Sequence, residues 1–89
     1  MINAIWDEGF KRSYKKRVKV DSNLKKKFWT RMEIFSDDPF ANQLKTHKLS
    51  GKIKGYWAFS VDDDCRVVFE FIGEDSVLLV DIGSHDEVY

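Results

Sequence analysis

The chain has two histidines, His47 and His85. They are its only side chains whose ordinary pKa, about 6.5, makes them acid–base groups near neutrality. His47 stands just before a Gly-rich approach to a strand, and His85 follows the apolar run Ser76-Val77-Leu78-Leu79-Val80-Asp81-Ile82-Gly83. Arg66 sits at the start of another such run, Asp64 to Phe71, and is the one Lys or Arg in residues 55–89. A guanidinium held on a strand can grip a phosphate with two hydrogen bonds; the plainer reading is an ion pair with one of the neighbouring aspartates. Asp64 can orient a histidine, accept a proton or cap its turn, and turn-forming is the usual work of an Asp in an Asp-rich tight turn. Tyr89 can stack on a base or bond a phosphate, although chain ends usually fray. No pair among His47, His85, Cys65 and the aspartates has zinc-like spacing, so neither a metal nor a cofactor is expected. Cys65 alternates with Val67 and Phe69, which marks it as a small core hydrophobe rather than a nucleophile. Together these residues invite phosphate chemistry, weighed against two surface histidines with no role.

The elements that must position them read as β-α-α-β-β-β. Ile2 to Trp6 is a short first strand. Phe10, Tyr14 and Val18 recur at helical spacing among basic residues, giving an amphipathic helix over Glu8 to Val20. Asp21, Ser22 or Asn23 caps a second helix whose apolar stripe is Leu24, Phe28, Met32 and Phe35. It stops at Asp37-Asp38-Pro39, because Pro disfavours helical geometry in the residue before it. Phe40 to Lys54 reads as a connecting segment. Trp57 to Val61, the Arg66 run and the last run then form an antiparallel meander joined by Asp62-Asp63-Asp64 and Gly73-Glu74-Asp75. The expected fold is α+β, with a helical hairpin on one face of a small, twisted, mainly antiparallel sheet. Alternation groups Val67, Phe69 and Phe71 on the core face, and Leu78, Val80 and Ile82 on the core face of the last strand. Arg66 and His85 then share the open face, unless a one-residue bulge reverses the alternation.

A chain of 89 residues is one domain, residues 1–89. Its seven Phe, three Trp and three Tyr supply a core that so short a chain needs. One cysteine excludes a disulfide framework and fits a reducing compartment. The first residues lack the pattern of a signal peptide, and no apolar run approaches the roughly 20 residues that span a bilayer. A soluble cytoplasmic protein is expected, with no membrane partner. The zero net charge conceals a division. Residues 1–54 hold 14 Lys/Arg against 6 Asp/Glu, a net +8, and residues 55–89 hold 1 against 9, a net −8. The basic half suits nucleic-acid phosphates or an acidic protein, the alternative being an ordinary solvated helical face. Candidate RNA or ribosome contacts are Lys11, Lys15, Lys16, Lys25 and Lys26 on the helices, with Lys48, Lys52 and Lys54 before the sheet.

Several segments in combination carry a resemblance. They are Phe10-Lys11-Arg12 with Tyr14-Lys15-Lys16, His47-Lys48-Leu49-Ser50-Gly51 followed by Gly55-Tyr56-Trp57, Asp64-Cys65-Arg66-Val67-Val68-Phe69, and Asp81-Ile82-Gly83-Ser84-His85-Asp86-Glu87-Val88-Tyr89. Over nearly its whole length the chain resembles the RelE/ParE superfamily of type II toxin–antitoxin toxins, and within it the YafQ-type branch. The resemblance implies a RelE-like microbial RNase fold and a ribosome-dependent mRNA endoribonuclease, held inactive by a cognate antitoxin and docked on ribosomal RNA. It implies catalytic roles at His47, Asp64, His85 and Tyr89, with Arg66 holding the scissile phosphate. The implied reaction is metal-independent attack by the RNA's own 2′-OH. His47 or Asp64 would take the proton, and His85 would protonate the leaving oxygen. A further histidine of that branch corresponds to Ser60, and Trp57, Ala58 and Phe59 stand where the RelE prototype has its lysine pair. The alternatives are a ParE-like toxin that inhibits DNA gyrase without cutting RNA, and a catalytically weak binding protein on the same fold.

Overall fold

A computed structural model describes residues 1–50 and 55–84. The elements run β1 (Asn3–Trp6), α1 (Glu8–Ser13), α2 (Ser22–Asp37), β2 (His47–Lys48), β3 (Trp57–Asp62), β4 (Cys65–Phe71) and β5 (Ser76–Gly83). They form a five-stranded sheet in the order β1-β5-β4-β3-β2. The β1–β5 pair is parallel, and the other neighbours are antiparallel. Among the described residues no helix is long and apolar enough to cross a membrane.

Local chemistry sets the helix ends. The Asp7 carboxylate accepts from the Gly9 N–H at 3.0 Å and caps α1, and Asp21 accepts from the Leu24 N–H at 3.1 Å and caps α2; each satisfies a donor that has no partner within its own helix. The first helix does not stay α-helical to Val20. Tyr14–Val18 form a π-helical turn in which the Lys19 N–H donates to the Tyr14 carbonyl. The wider turn keeps Phe10, Tyr14 and Val18 on the buried side. The second helix ends at Asp37, before Pro39.

Both helices lie on one face of the sheet. Phe10, Val18, Phe28 and Phe35 from the helical layer meet Phe59, Val61, Val67, Phe69, Val77 and Leu79 from the strands, all at most 1% exposed. Phe35 packs between Phe59 and Phe69, with ring centroids 4.7 and 5.0 Å away. Full burial of such a side chain contributes about 1.5–3 kcal/mol.

Two expectations are corrected. The segment from Phe40 to Lys54 is not only a connection: its described part carries a 3₁₀ turn, Asn42–Leu44, and the two-residue edge strand β2. The last strand also buries a different set. Val77, Leu79 and Ile82 enter the main core, whereas Leu78 and Val80 do not. The register shifts along the β4–β5 pair: Val68 faces Asp81 and Phe69 faces Leu79, so Val80 is an extra residue. This bulge reverses the alternation midway along β5.

Candidate active site on the open sheet face

Strand register places the sequence-selected side chains. Cys65, Val67 and Phe69 point into the main core, so Arg66 and Val68 point to the face that carries no helices. His47 pairs with Ala58, and Ala58 with Val68. One row along, Ser60 pairs with Arg66, and Arg66 with Gly83. His47 and Arg66 are therefore on the same face, two strands and one row apart. Sheet spacings make that separation about 12 Å between Cα atoms, which two long side chains can bridge through one phosphate.

Beneath them lies a floor that alternation alone did not reveal. Leu49, Ala58 and Val68 are buried on this face, with Tyr56 and Val80 packed against them. Val80 reaches it because of the β5 bulge. The signal available in sequence was the string of small and apolar residues at Leu49, Ala58 and Val68, but their face depends on pairing with β2, which is too short to show a period.

Arg66 is half-buried. Its Nη1 donates to the carbonyls of Asp62 at 2.7 Å, Asp63 at 3.0 Å and Cys65 at 3.3 Å. The guanidinium is therefore anchored by the backbone of the β3–β4 turn, and among the described residues it bonds no aspartate carboxylate. Its charge remains available, and among the described residues Nε and Nη2 make no hydrogen bond. His47 is exposed, and its Nδ1 lies 3.0 Å from the Lys45 carbonyl. A carbonyl only accepts, so Nδ1 carries the hydrogen and the neutral ring has its lone pair on Nε2. Lys45 reaches this geometry with a φ of 51°, the left-handed region that a non-glycine residue seldom visits.

The structure separates other candidates from this face. Asp64 lies in the β3–β4 turn and lines a cleft with Arg17, Asp21, Leu24 and Lys27 of the helical layer. Asp62, in the same cleft, has its carboxyl held below the usual range by the Asp63 backbone N–H at 2.8 Å and by Lys27 at 3.2 Å. Lys48 pairs with Trp57, and its Nζ sits 5.8 Å from the centre of that ring on the helix side. Lys11, Lys15, Lys16, Lys25 and Lys26 are exposed on the helical layer. Burial pushes the Cys65 thiol up to about 11, which makes it a poor nucleophile at neutral pH. His85, Tyr89, Lys52 and Lys54 lie outside the described residues. Among the described residues no three His, Cys, Asp or Glu side chains gather as a metal ion would require.

The open face thus combines an imidazole oriented through Nδ1, an anchored guanidinium and an apolar floor. It can place a phosphodiester beside a base while an adjoining nucleotide rests on apolar surface.

Comparison with known families matches residues 3–89 to the family described as bacterial toxin of type II toxin–antitoxin system, YafQ. No curated protein sequence matched the chain. Among solved structures, the metal-bound toxin from Helicobacter pylori is 26% identical and superposes with a TM-score of 0.75 over 100% of both chains. The YoeB/ParE toxin from Agrobacterium tumefaciens is 20% identical with a TM-score of 0.79, over 94% of this chain and 99% of that one. The E. coli DinJ–YafQ toxin–antitoxin complex contains a chain 20% identical with a TM-score of 0.72, over 99% of this chain and 97% of that one.

Proposed function

Because the chain belongs to the YafQ family of type II toxin–antitoxin toxins, we propose that it is an endoribonuclease that cuts mRNA on the ribosome and is silenced by a cognate antitoxin. The observation that carries this reading is the joint placement of His47 and Arg66 on the open face above the Leu49–Ala58–Val68 floor. The antitoxin partner is supported by a neighbouring fold seen bound to its own antitoxin, the E. coli DinJ–YafQ complex.

In this reading the RNA supplies its own nucleophile. The 2′-oxygen attacks the adjacent phosphorus, the bond to the 5′-oxygen breaks, and a 2′,3′-cyclic phosphate and a 5′-hydroxyl result. His47 Nε2 takes the 2′-OH proton. The tautomer set by the Lys45 carbonyl suits it to that role, and Asp64, turned toward the helical layer, is the weaker candidate. Arg66 offers its charge to the phosphoryl oxygens as negative charge builds; fixing Nη1 on the turn lowers the cost of organising it at that moment. His85 gives a proton to the leaving 5′-oxygen, and Tyr89 orients base or phosphate. Basic residues of the helical layer meet ribosomal RNA.

Arg66→Ala tests the reading. Loss of one such charge-stabilising group costs about 100- to 1,000-fold in rate, so induction should no longer arrest growth or cut translated mRNA within codons. The alanine variant also loses the turn anchor, and Arg66→Lys supplies a second case that keeps charge but not the planar fork. It should fold as wild type and cut weakly. Wild-type cutting by both variants at equal soluble expression would reject the assignment.

A further inference from the structure

On the opposite side of the molecule, charge and aromatic surface meet again. Trp6 at the end of β1 and Tyr14 in the π turn wall a bowl of about 290 Å3, and Lys11, Lys15, Lys19 and Lys25 ring it. Trp6 is held edge-on by Phe10 at 4.9 Å and Tyr14 at 5.0 Å. Trp29 lies nearly parallel to it, with centroids 6.0 Å apart and planes 25° apart. The Trp29 indole N–H donates to the Tyr14 hydroxyl at 3.1 Å, yet the residue stays 46% exposed. The aromatic wall is therefore fixed before anything binds. Lys11 shares its charge with Glu8 at 3.3 Å, whereas Lys15, Lys19 and Lys25 make no ion pair among the described residues.

An anion with a flat apolar body fits this arrangement. An unpaired nucleotide has both parts, a base to lay on the indole and phosphates on either side for the ammonium groups. An acidic peptide with an aliphatic anchor would satisfy the charges but would gain less from oriented rings. We propose that the bowl seats one unpaired RNA nucleotide, with its base on Trp6 and its flanking phosphates on Lys15, Lys19 and Lys25. This rests on the reading that the helical layer docks on RNA, and it adds a stacking seat distinct from the open face.

The test uses a non-cleavable strand, so that its outcome does not depend on the nuclease. Short 2′-O-methyl oligouridylate and oligoadenylate are titrated into the whole chain carrying Trp57→Phe, which leaves Trp6 and Trp29 as fluorescent reporters. An abasic strand of equal length measures the charge contribution alone. Base-bearing strands should quench the fluorescence and bind about five- to a hundredfold tighter than the abasic strand. Trp6→Leu should erase that advantage while leaving abasic binding unchanged. Because Trp6 also packs against Phe10, Lys15→Gln with Lys19→Gln is the independent variant, and it should weaken all strands together. Equal binding of base-bearing and abasic strands overturns the proposal, as does a base advantage that survives Trp6→Leu. If instead a leucine-bearing acidic peptide displaces the strands and itself depends on Trp6, the bowl is a protein-docking site and the RNA assignment falls.

Discussion

At the residue scale, His47 and Arg66 show how a side chain's surroundings decide its use. His47 is exposed at the surface, where its Nδ1 donates to the Lys45 carbonyl. Removing its ring should therefore cost less than about 0.5 kcal/mol of stability. His47→Ala is expected to unfold within a few degrees of wild type and to lose most cleavage of translated mRNA. A melting temperature far below wild type combined with undiminished cleavage would make it a structural histidine. The residue types were legible in the sequence: paired histidines and one arginine in an otherwise acidic half. Their partners were not. The choice of backbone carbonyls over aspartate carboxylates for Arg66 follows from the path of the turn, which composition does not encode. Tyr56 and Leu49 were missed because a floor is defined by neighbours in space, and their neighbours come from other strands.

Elements were legible where a period was long enough to repeat. The sixteen-residue α2 and strands β3 and β4 follow their patterns closely, and the Asp21 cap and the stop before Pro39 fall where side-chain chemistry demands. The misses share one cause: a single residue, or two, breaking a period. The extra Val80 in β5 exchanges its faces, a π turn widens the first helix, and β2 is too short to alternate. The Lys27–Asp62 ion pair, at 3.2 Å, ties α2 to β3, and the folded-state pKa of Asp62 is lowered first by the Asp63 N–H and then by Lys27. A lowered pKa contributes stability that is present above the unfolded value, about 3.9. That stability is lost as pH falls through the folded value. The pair is partly exposed, so the effect is small. In urea titrations, Asp62→Asn should narrow the stability gap between neutral and acid pH relative to wild type; an acid limb that keeps its full depth would show that Asp62 does not contribute.

For the whole molecule, the two halves of the chain carry opposite net charges of +8 and −8, and they meet in one fold, as the Lys27–Asp62 pair shows. Lys11, Lys15, Lys16, Lys25 and Lys26 are exposed on the helical layer, and the nuclease reading belongs to the opposite sheet face. On that reading, docking and cutting should be separable by substitution. Changing Lys15, Lys16, Lys25 and Lys26 to Glu should weaken cosedimentation with ribosomes and flatten its dependence on salt, since fewer counterions are released. Sedimentation like wild type at every salt concentration would leave these lysines as a solvated surface. The sheet order carries a consequence in time. β1 occupies residues 3–6, yet its partner is β5, residues 76–83, which it joins in parallel. Contacts of such long sequence separation close late and slowly. While the polypeptide is being made, the helical hairpin emerges with Phe10, Phe28 and Phe35 uncovered, and the sheet cannot be completed until β5, which joins β1 to β4, arrives. A chain ended at Asp75 should accordingly show no cooperative unfolding transition, and a sharp one would contradict this order of assembly. On the nuclease reading, a chain still being synthesised therefore exposes its apolar layer before it has a finished sheet face to act with.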